Sequence, residues 1–169
     1  MEIWLGKAGI HYCCLGVLLF LIPTALHAEP YREQSIVAPF QIEDQHGQPY
    51  TLDVGARALL FSRDMDGGTV IKETLSEGGE ALLNQGGAVY VADISGMPWL
   101  VRKMIAKPRM RERPYRMLLD EDGDLTENLP SVEGKATLMV LDRLKVVRIM
   151  YLDSVAELRK TLESLHASP

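Results

Sequence analysis

The sequence predicts an α/β domain built on a mixed sheet, and three observations carry that prediction. Two short apolar runs, residues 58–61 and 88–94, are each followed by a stretch with helical spacing. That β, α, β, α order implies parallel strands joined by right-handed crossovers. Two further runs, 136–141 and 145–151, are separated only by Asp142, Arg143 and Leu144, the arrangement of an antiparallel hairpin. The chain then ends in an amphipathic pattern, with Val155, Leu158, Leu162 and Leu165 on one stripe.

Residues 35–40 read as extended, and Phe40 and Ile42 alternate with polar neighbours as a half-buried strand does. Asp44, Gln45, His46 and Gly47 form a turn leading to Tyr50 and Leu52. His46, beside a glycine in a polar turn, reads as a turn residue and not as a catalytic base. Residues 58–61 suit a strand buried on both faces. A helix is expected over 67–85, with Ile71, Leu75, Leu82 and Leu83 near one face and Gly86 with Gly87 as its stop. Gly78 and Gly79 interrupt that pattern, which predicts a kink or two shorter helices.

The run 88–94 is the clearest buried strand, ended by Ser95 and Gly96. Pro98 suits the first turn of a helix carrying Trp99, Leu100, Met104 and Ile105, with Trp99 expected in the core and Pro108 expected to close the helix. Residues 115–119 read as a further strand, followed by the DEDGD turn at 120–124 and a polar loop with Pro130 and Gly134. Before the last helix, Ser154 and Glu157 have capping-box spacing.

With 169 residues, 47% of them hydrophobic, the chain can bury one compact core and is too short for two ordinary domains. A net charge of -5 argues against a general nucleic-acid binder, which needs a surplus of Lys and Arg to meet phosphates. Residues 1–28 read as an export signal: Lys7, then an apolar run over 13–22, then a short stretch ending at Ala28. Cleavage after Ala28 leaves residues 29–169 as the mature domain, with the periplasm as its expected destination. Retention of the segment would instead anchor the protein to a membrane.

That cleavage decides the cysteine chemistry. Cys13 and Cys14 are the only two cysteines and lie inside the segment to be removed, so the mature chain has no thiol for dithiol exchange, peroxide reduction or a disulfide. Of the four histidines, only His46 and His166 remain, far apart in sequence, which gives no support to a Cys/His zinc site or a His-based triad. No cofactor and no metal are expected.

The order of elements and several local strings resemble the thioredoxin-like superfamily, in its branch of thiol-disulfide and peroxiredoxin-like proteins. Phe40, Ile42, Asp44, Gly47 and Leu52 match the spacing of that branch's entry motif, and Ala38 with Pro39 matches its leading Ala-Pro, though without the usual residue before Phe40. Aligning Phe61 with the end of the family's first central strand puts Asp66, Gly67, Gly68 and Thr69 where C-x-x-C would stand. Counting back from Asp142 puts Ala136 where the family has its cis-proline. The resemblance implies a three-layer scaffold, a mixed central sheet with helices on both faces, and does not imply oxidoreductase activity.

Open α/β sheets bind ligands beyond the carboxyl ends of their parallel strands, where helix N-termini also point. Ser62, Arg63, Asp64 and Asp66 follow one such strand, and Asp93 and Ser95 follow the other. Gly67 and Gly68 would let backbone N–H groups approach a small anion, with Arg63 as countercharge; Thr69 completes the stretch. The alternative is structural: Asp66 as an N-cap, and Arg63 paired with Asp64 or Asp93. A second candidate surface is basic: Arg102, Lys103, Lys107, Arg109, Arg111, Arg113 and Arg116 against the lone Glu112. Such a cluster suits a protein partner, a phosphate-bearing ligand or anionic lipid headgroups, and Pro108 and Pro114 predict that its charges lie on an exposed loop. Asp120, Glu121, Asp122 and Asp124 invite a calcium reading, but their spacing around Gly123 is not that of an EF-hand loop. The expected function is thus an exported, redox-inactive binding or adaptor module for an unknown protein or anionic ligand. The alternative is an enzyme or small-anion-binding protein reusing the same strand edge through Arg63, Asp64, Asp66 and Asp93.

Overall fold

A computed structural model describes residues 29–166; residues 1–28, the expected export signal, and 167–169 lie outside the described residues. The strands are β1 (Phe40–Glu43), β2 (Pro49–Leu52), β3 (Ala58–Ser62), β4 (Ala88–Asp93), β5 (Leu118–Asp120), β6 (Ala136–Asp142) and β7 (Lys145–Leu152). The helices are α1 (Met65–Thr74), α2 (Gly79–Gly86), α3 (Trp99–Val101), α4 (Lys107–Arg111) and α5 (Val155–His166), with a π-helical turn at Arg102–Ala106 between α3 and α4. Five strands form one sheet in the order β5-β4-β3-β6-β7. β3 pairs parallel with β4, β4 parallel with β5, and β6 runs antiparallel to both β3 and β7.

β3 is central because every one of its side chains is buried. Alternation along the strand sends Leu60 to one face, among Ile71, Leu75, Leu82, Leu138, Leu158 and Leu162. It sends Leu59 and Phe61 to the other, among Ile42, Leu52, Val91, Met139 and Val146. Each such burial is worth about 1.5–3 kcal/mol, so a strand with two apolar faces has no stable alternative at the sheet edge. The helical residues of the core, from α1, α2 and α5 with Met110 of α4, all belong to the first cluster. The class is the one expected, an α/β sandwich on a mixed sheet. Among the described residues, the layer over the second face is the β1–β2 hairpin with connecting segments, not a helix.

The expected interruption of the first helical stretch occurs at Gly78, whose φ of 66° lies in the left-handed region that glycine enters freely. Arg159 of α5 then donates to the carbonyls of Thr74 and Glu77, supplying partners that the end of α1 cannot find within itself. At the β6–β7 turn Arg143 and Leu144 both take left-handed φ values, 48° and 66°, and Leu144 is held there by burial in the second cluster. Ser154 accepts from the Glu157 N–H, as its spacing predicted.

Four expectations for residues 98–120 are corrected. Pro108 does not close its helix: the preceding π turn, in which the Lys107 N–H reaches Arg102 O, accommodates the ring, and the helix continues to Arg111. The basic residues from Arg102 to Arg111 are therefore helical, not on a loop. Trp99 is 62% exposed and is not a core residue. Residues 115–117 are not strand, because their backbone is held by a side chain. Gln45, 1% exposed, donates to Tyr115 O at 2.8 Å and accepts from Met117 N at 2.9 Å, while its own N–H reaches Met117 O. Gln45→Ala leaves two buried backbone groups without these partners and is expected to lower stability by about 2–4 kcal/mol in urea denaturation. His46→Ala, exposed in the same turn, should stay within about 0.5 kcal/mol of the parent.

Candidate ligand groove

The carboxyl ends of β3 and β4 open into a groove of about 550 Å³ between α1 and the continuous helix over residues 99–111. Its floor is the sheet, with Ser62, Tyr90 and Ala92, and its wall is apolar: Met97, Val101, Ile105, Met110 and Met117. Lys72, Arg109 and Arg113 stand among the lining residues, so an apolar trough carries cationic groups at its borders.

Ser62 Oγ and Tyr90 Oη lie 3.0 Å apart at the floor, both buried. Burial pushes the Tyr90 phenol up to about 12, with the Ser62 hydrogen bond acting in the opposite sense. Burial likewise raises Tyr115, against the nearby Arg113. These phenols are neutral hydrogen-bonding groups at physiological pH.

Of the residues expected at this edge, Arg63, Asp64, Gly68, Thr69 and Asp93 line the groove. Asp64, not Asp66, is the N-cap of α1: its Oδ1 accepts from Gly67 N at 2.8 Å and its Oδ2 from Gly134 N at 2.9 Å. Asp66 is exposed in the first turn, where its charge complements the helix dipole. Gly67 is buried against the segment leading into β6, and a Cβ there would collide with the Lys135 carbonyl. The position aligned with the C-x-x-C stretch and the position aligned with the cis-proline therefore touch. Arg63 donates to Thr126 O and Leu129 O and lies 3.8 Å from Asp93. Asp93 accepts from both the N–H and the hydroxyl of Ser95.

The basic cluster is divided among three places. Arg109 and Arg113 border the groove. Arg102 and Lys107 are partly buried and share Glu121, and with Trp99, Lys103 and Arg111 they surround a separate hollow of about 400 Å³. Arg116 lies elsewhere, paired with Asp44 at 3.6 Å and stacked over Tyr50. Within the acidic turn, Asp120 is 3% exposed and accepts from the N–H groups of Asp122, Gly123 and Thr126, so this carboxylate shapes the loop. Among the described residues no group of three or more His, Cys, Asp or Glu is placed to hold a metal. The sequence reading missed the apolar wall. Met97, Met110 and Met117 carry no periodic signal, and only their convergence in three dimensions makes a site.

No protein-family model and no curated protein matches the sequence. Solved structures do. A peroxidoxin from Mycobacterium tuberculosis is 22% identical with a TM-score of 0.56, over 82% of this chain and 98% of that one. A putative protein disulfide isomerase from Bacteroides thetaiotaomicron is 15% identical with a TM-score of 0.52, over 81% of this chain and 91% of that one. A putative thioredoxin from Neisseria meningitidis is 12% identical with a TM-score of 0.53, over 81% and 93% of the two chains. The fold is thioredoxin-like.

Two predictions test the groove's construction. Asp64→Ala removes a helix cap and the Gly134 partner together and should cost about 2–3 kcal/mol in chemical denaturation, whereas Asp66→Ala should cost less than about 1 kcal/mol. In alkali, the unfolded phenol ionises near 10 and folded Tyr90 only near 12. The folded state therefore holds the proton longer, and the Tyr90 contribution to stability is constant below pH 10 and is lost as pH rises from 10 to 12. The loss is of order 2–3 kcal/mol, and Tyr90→Phe should flatten this part of the stability profile.

Proposed function

We propose that this protein is an exported binding module that seats an extended apolar segment of a partner in the groove beyond β3 and β4, without thiol redox chemistry. The carrying observation is the groove itself, about 550 Å³ of mainly methionine- and aliphatic-lined space at the strand edge. Flexible, polarisable methionine side chains suit binding surfaces that must fit more than one shape. Cys13 and Cys14 are the only cysteines in the sequence, and none of the groove's lining residues is a cysteine. A disulfide-exchange reaction at this edge has no nucleophile within residues 29–169.

The alternative, an enzyme working through Arg63, Asp64, Asp66 and Asp93, has less to support it. Asp64 caps a helix, Arg63 satisfies two carbonyls and Asp93 orients Ser95. Only Asp66 has no such task, and it stands outside the groove lining.

The experiment uses anilinonaphthalene sulfonate, an apolar anionic dye matched to the groove and its cationic border. Gly68 lines the groove, and a Cβ there would meet Ser62 only at ordinary van der Waals distance, so Gly68→Leu fills space without breaking the helix. Dye affinity should fall at least about tenfold in Gly68→Leu through the lost apolar contact, and thermal stability should be retained. Asp66→Ala should bind the dye as the parent does. Unchanged dye affinity in Gly68→Leu sinks the groove reading. Dithiol-dependent insulin reduction should stay at the uncatalysed rate, and the intact mass of protein from an exporting host's envelope should correspond to loss of residues 1–28.

A further inference from the structure

The helix over residues 99–111 has a face that neither the core nor the groove uses. Trp99 is 62% exposed, Leu100 61% and Met104 64%, values at which a hydrophobic side chain is essentially in solvent. They are not scattered: three of the largest exposed apolar groups sit within six consecutive residues of one helix. Basic residues are interleaved with them. Lys103 stacks over the Trp99 ring at 5.2 Å from its centroid, and Arg102, Lys107 and Arg111 surround the hollow beside it.

We infer that this helix is a docking element for an anionic phospholipid surface, lying in the plane of the headgroups with Trp99, Leu100 and Met104 directed into the acyl boundary. The composition is that of an interfacial helix, in which aromatic and aliphatic groups enter the boundary and Lys or Arg meets the phosphates. Tryptophan is suited to that depth by its apolar ring and polar N–H. The charge distribution orients the molecule: Arg102, Lys103, Lys107 and Arg111 gather beside Trp99 with Glu121 as their one carboxylate, in a chain with net charge -5, so the remainder is acidic. An anionic surface attracts the one side and repels the other.

Size argues for lipid over a protein partner. A helix of this length offers a strip roughly 20 Å by 10 Å, far less than the roughly 800 Å² per partner of a stable protein interface. Binding to a bilayer has no such threshold, because each inserted side chain and each phosphate contact adds to it. Glu121 holds Arg102 and Lys107 against the body of the protein, which fixes the helix and leaves Lys103 outward. The inference does not depend on the groove reading or on retention of residues 1–28, which would be a separate route to the membrane.

The test uses the full chain carrying Trp4→Phe, which leaves Trp99 as the only tryptophan. With phosphatidylglycerol vesicles at low salt, Trp99 emission should shift to the blue and be quenched by bromine-labelled acyl chains; with phosphatidylcholine vesicles it should do neither. Neutralising one charge with Lys103→Gln should lower the vesicle partition coefficient roughly fivefold, and reversing it with Lys103→Glu roughly thirtyfold. Leu100→Ser with Met104→Ser should lower it more than about tenfold. Gly68→Leu should leave it unchanged, which separates this inference from the groove. Vesicle association without Trp99 quenching would mean attachment through residues 1–28 and overturn the inference. So would equal binding to phosphatidylcholine, insensitivity to the charge changes, or a blue shift accompanied by oligomerisation in vesicle-free solution.

Discussion

The strand edge depends on one carboxylate. Asp64 stands just past β3, and its two oxygens are divided between the first turn of α1, through Gly67 N, and the loop before β6, through Gly134 N. The central strand, the helix that leaves it and the antiparallel half of the sheet are thereby tied at a single point. The approach is close enough that residue 67 must lack a side chain, since its Cβ would overlap the Lys135 carbonyl. Once α1 is fixed there, Gly68 and Thr69 border the groove, and Arg63, also in its lining, donates to the carbonyls of Thr126 and Leu129. Charges that look catalytic in one dimension are held in three by partners that orient the backbone.

The opposite wall is set by a different device. The π turn at Arg102–Ala106 lets the helix run past Pro108, so that Val101, Ile105 and Arg109 reach the groove while Trp99, Leu100 and Met104 point to solvent. Two contacts pin the helix to the body: Glu121 with Arg102 and Lys107, and Arg111 Nε donating to Gln45 O. Gln45 also holds residues 115–117, which contribute Tyr115 and Met117 to the groove. The small β1–β2 hairpin thus shapes a wall on the far side of the sheet by passing hydrogen bonds through a single buried amide.

Periodicity and turn chemistry were enough to read the scaffold. The apolar run ending at Phe61, the strand from Ala88 and the hairpin around Arg143 each carry a local signal strong enough to fix element type, and all three appear where they were expected. The helix from Pro98 misled for an identifiable reason. Trp99, Leu100, Met104 and Ile105 have the spacing of a core stripe, and spacing does not say which face of a helix meets protein. Pro108 misled too, because a π turn leaves no sequence mark that separates it from a helix end. At the site, a one-residue question decided the outcome: Asp64 and Asp66 both stand before a helical run, and the choice of cap rests on which carboxylate the Gly134 loop can reach. That loop is 70 residues away in the chain, beyond any local pattern.

The groups that remain at the edge favour recognition over bond-making. Of the hydroxyls lining the groove, Ser62 and Tyr90 hydrogen-bond each other at the buried floor, with the phenol held neutral up to about 12 by desolvation, and Thr69 donates to Met65 O within its own helix. A general base would have to be Asp64 or Asp93, each already accepting from N–H or O–H donors of its own neighbourhood. His46 brings no imidazole to these hydroxyls: it lies exposed in the β1–β2 turn, where its backbone N–H donates to Asp44. What the edge does present is shape, apolar area and the cationic ends of Lys72, Arg109 and Arg113. In the proposed binding role, such a surface would select by fit and by rejecting cations, with discrimination graded by contact area. With no cysteine among the described residues of this edge, the thioredoxin-like scaffold presents what the fold supplies most directly, a rim around an apolar trough.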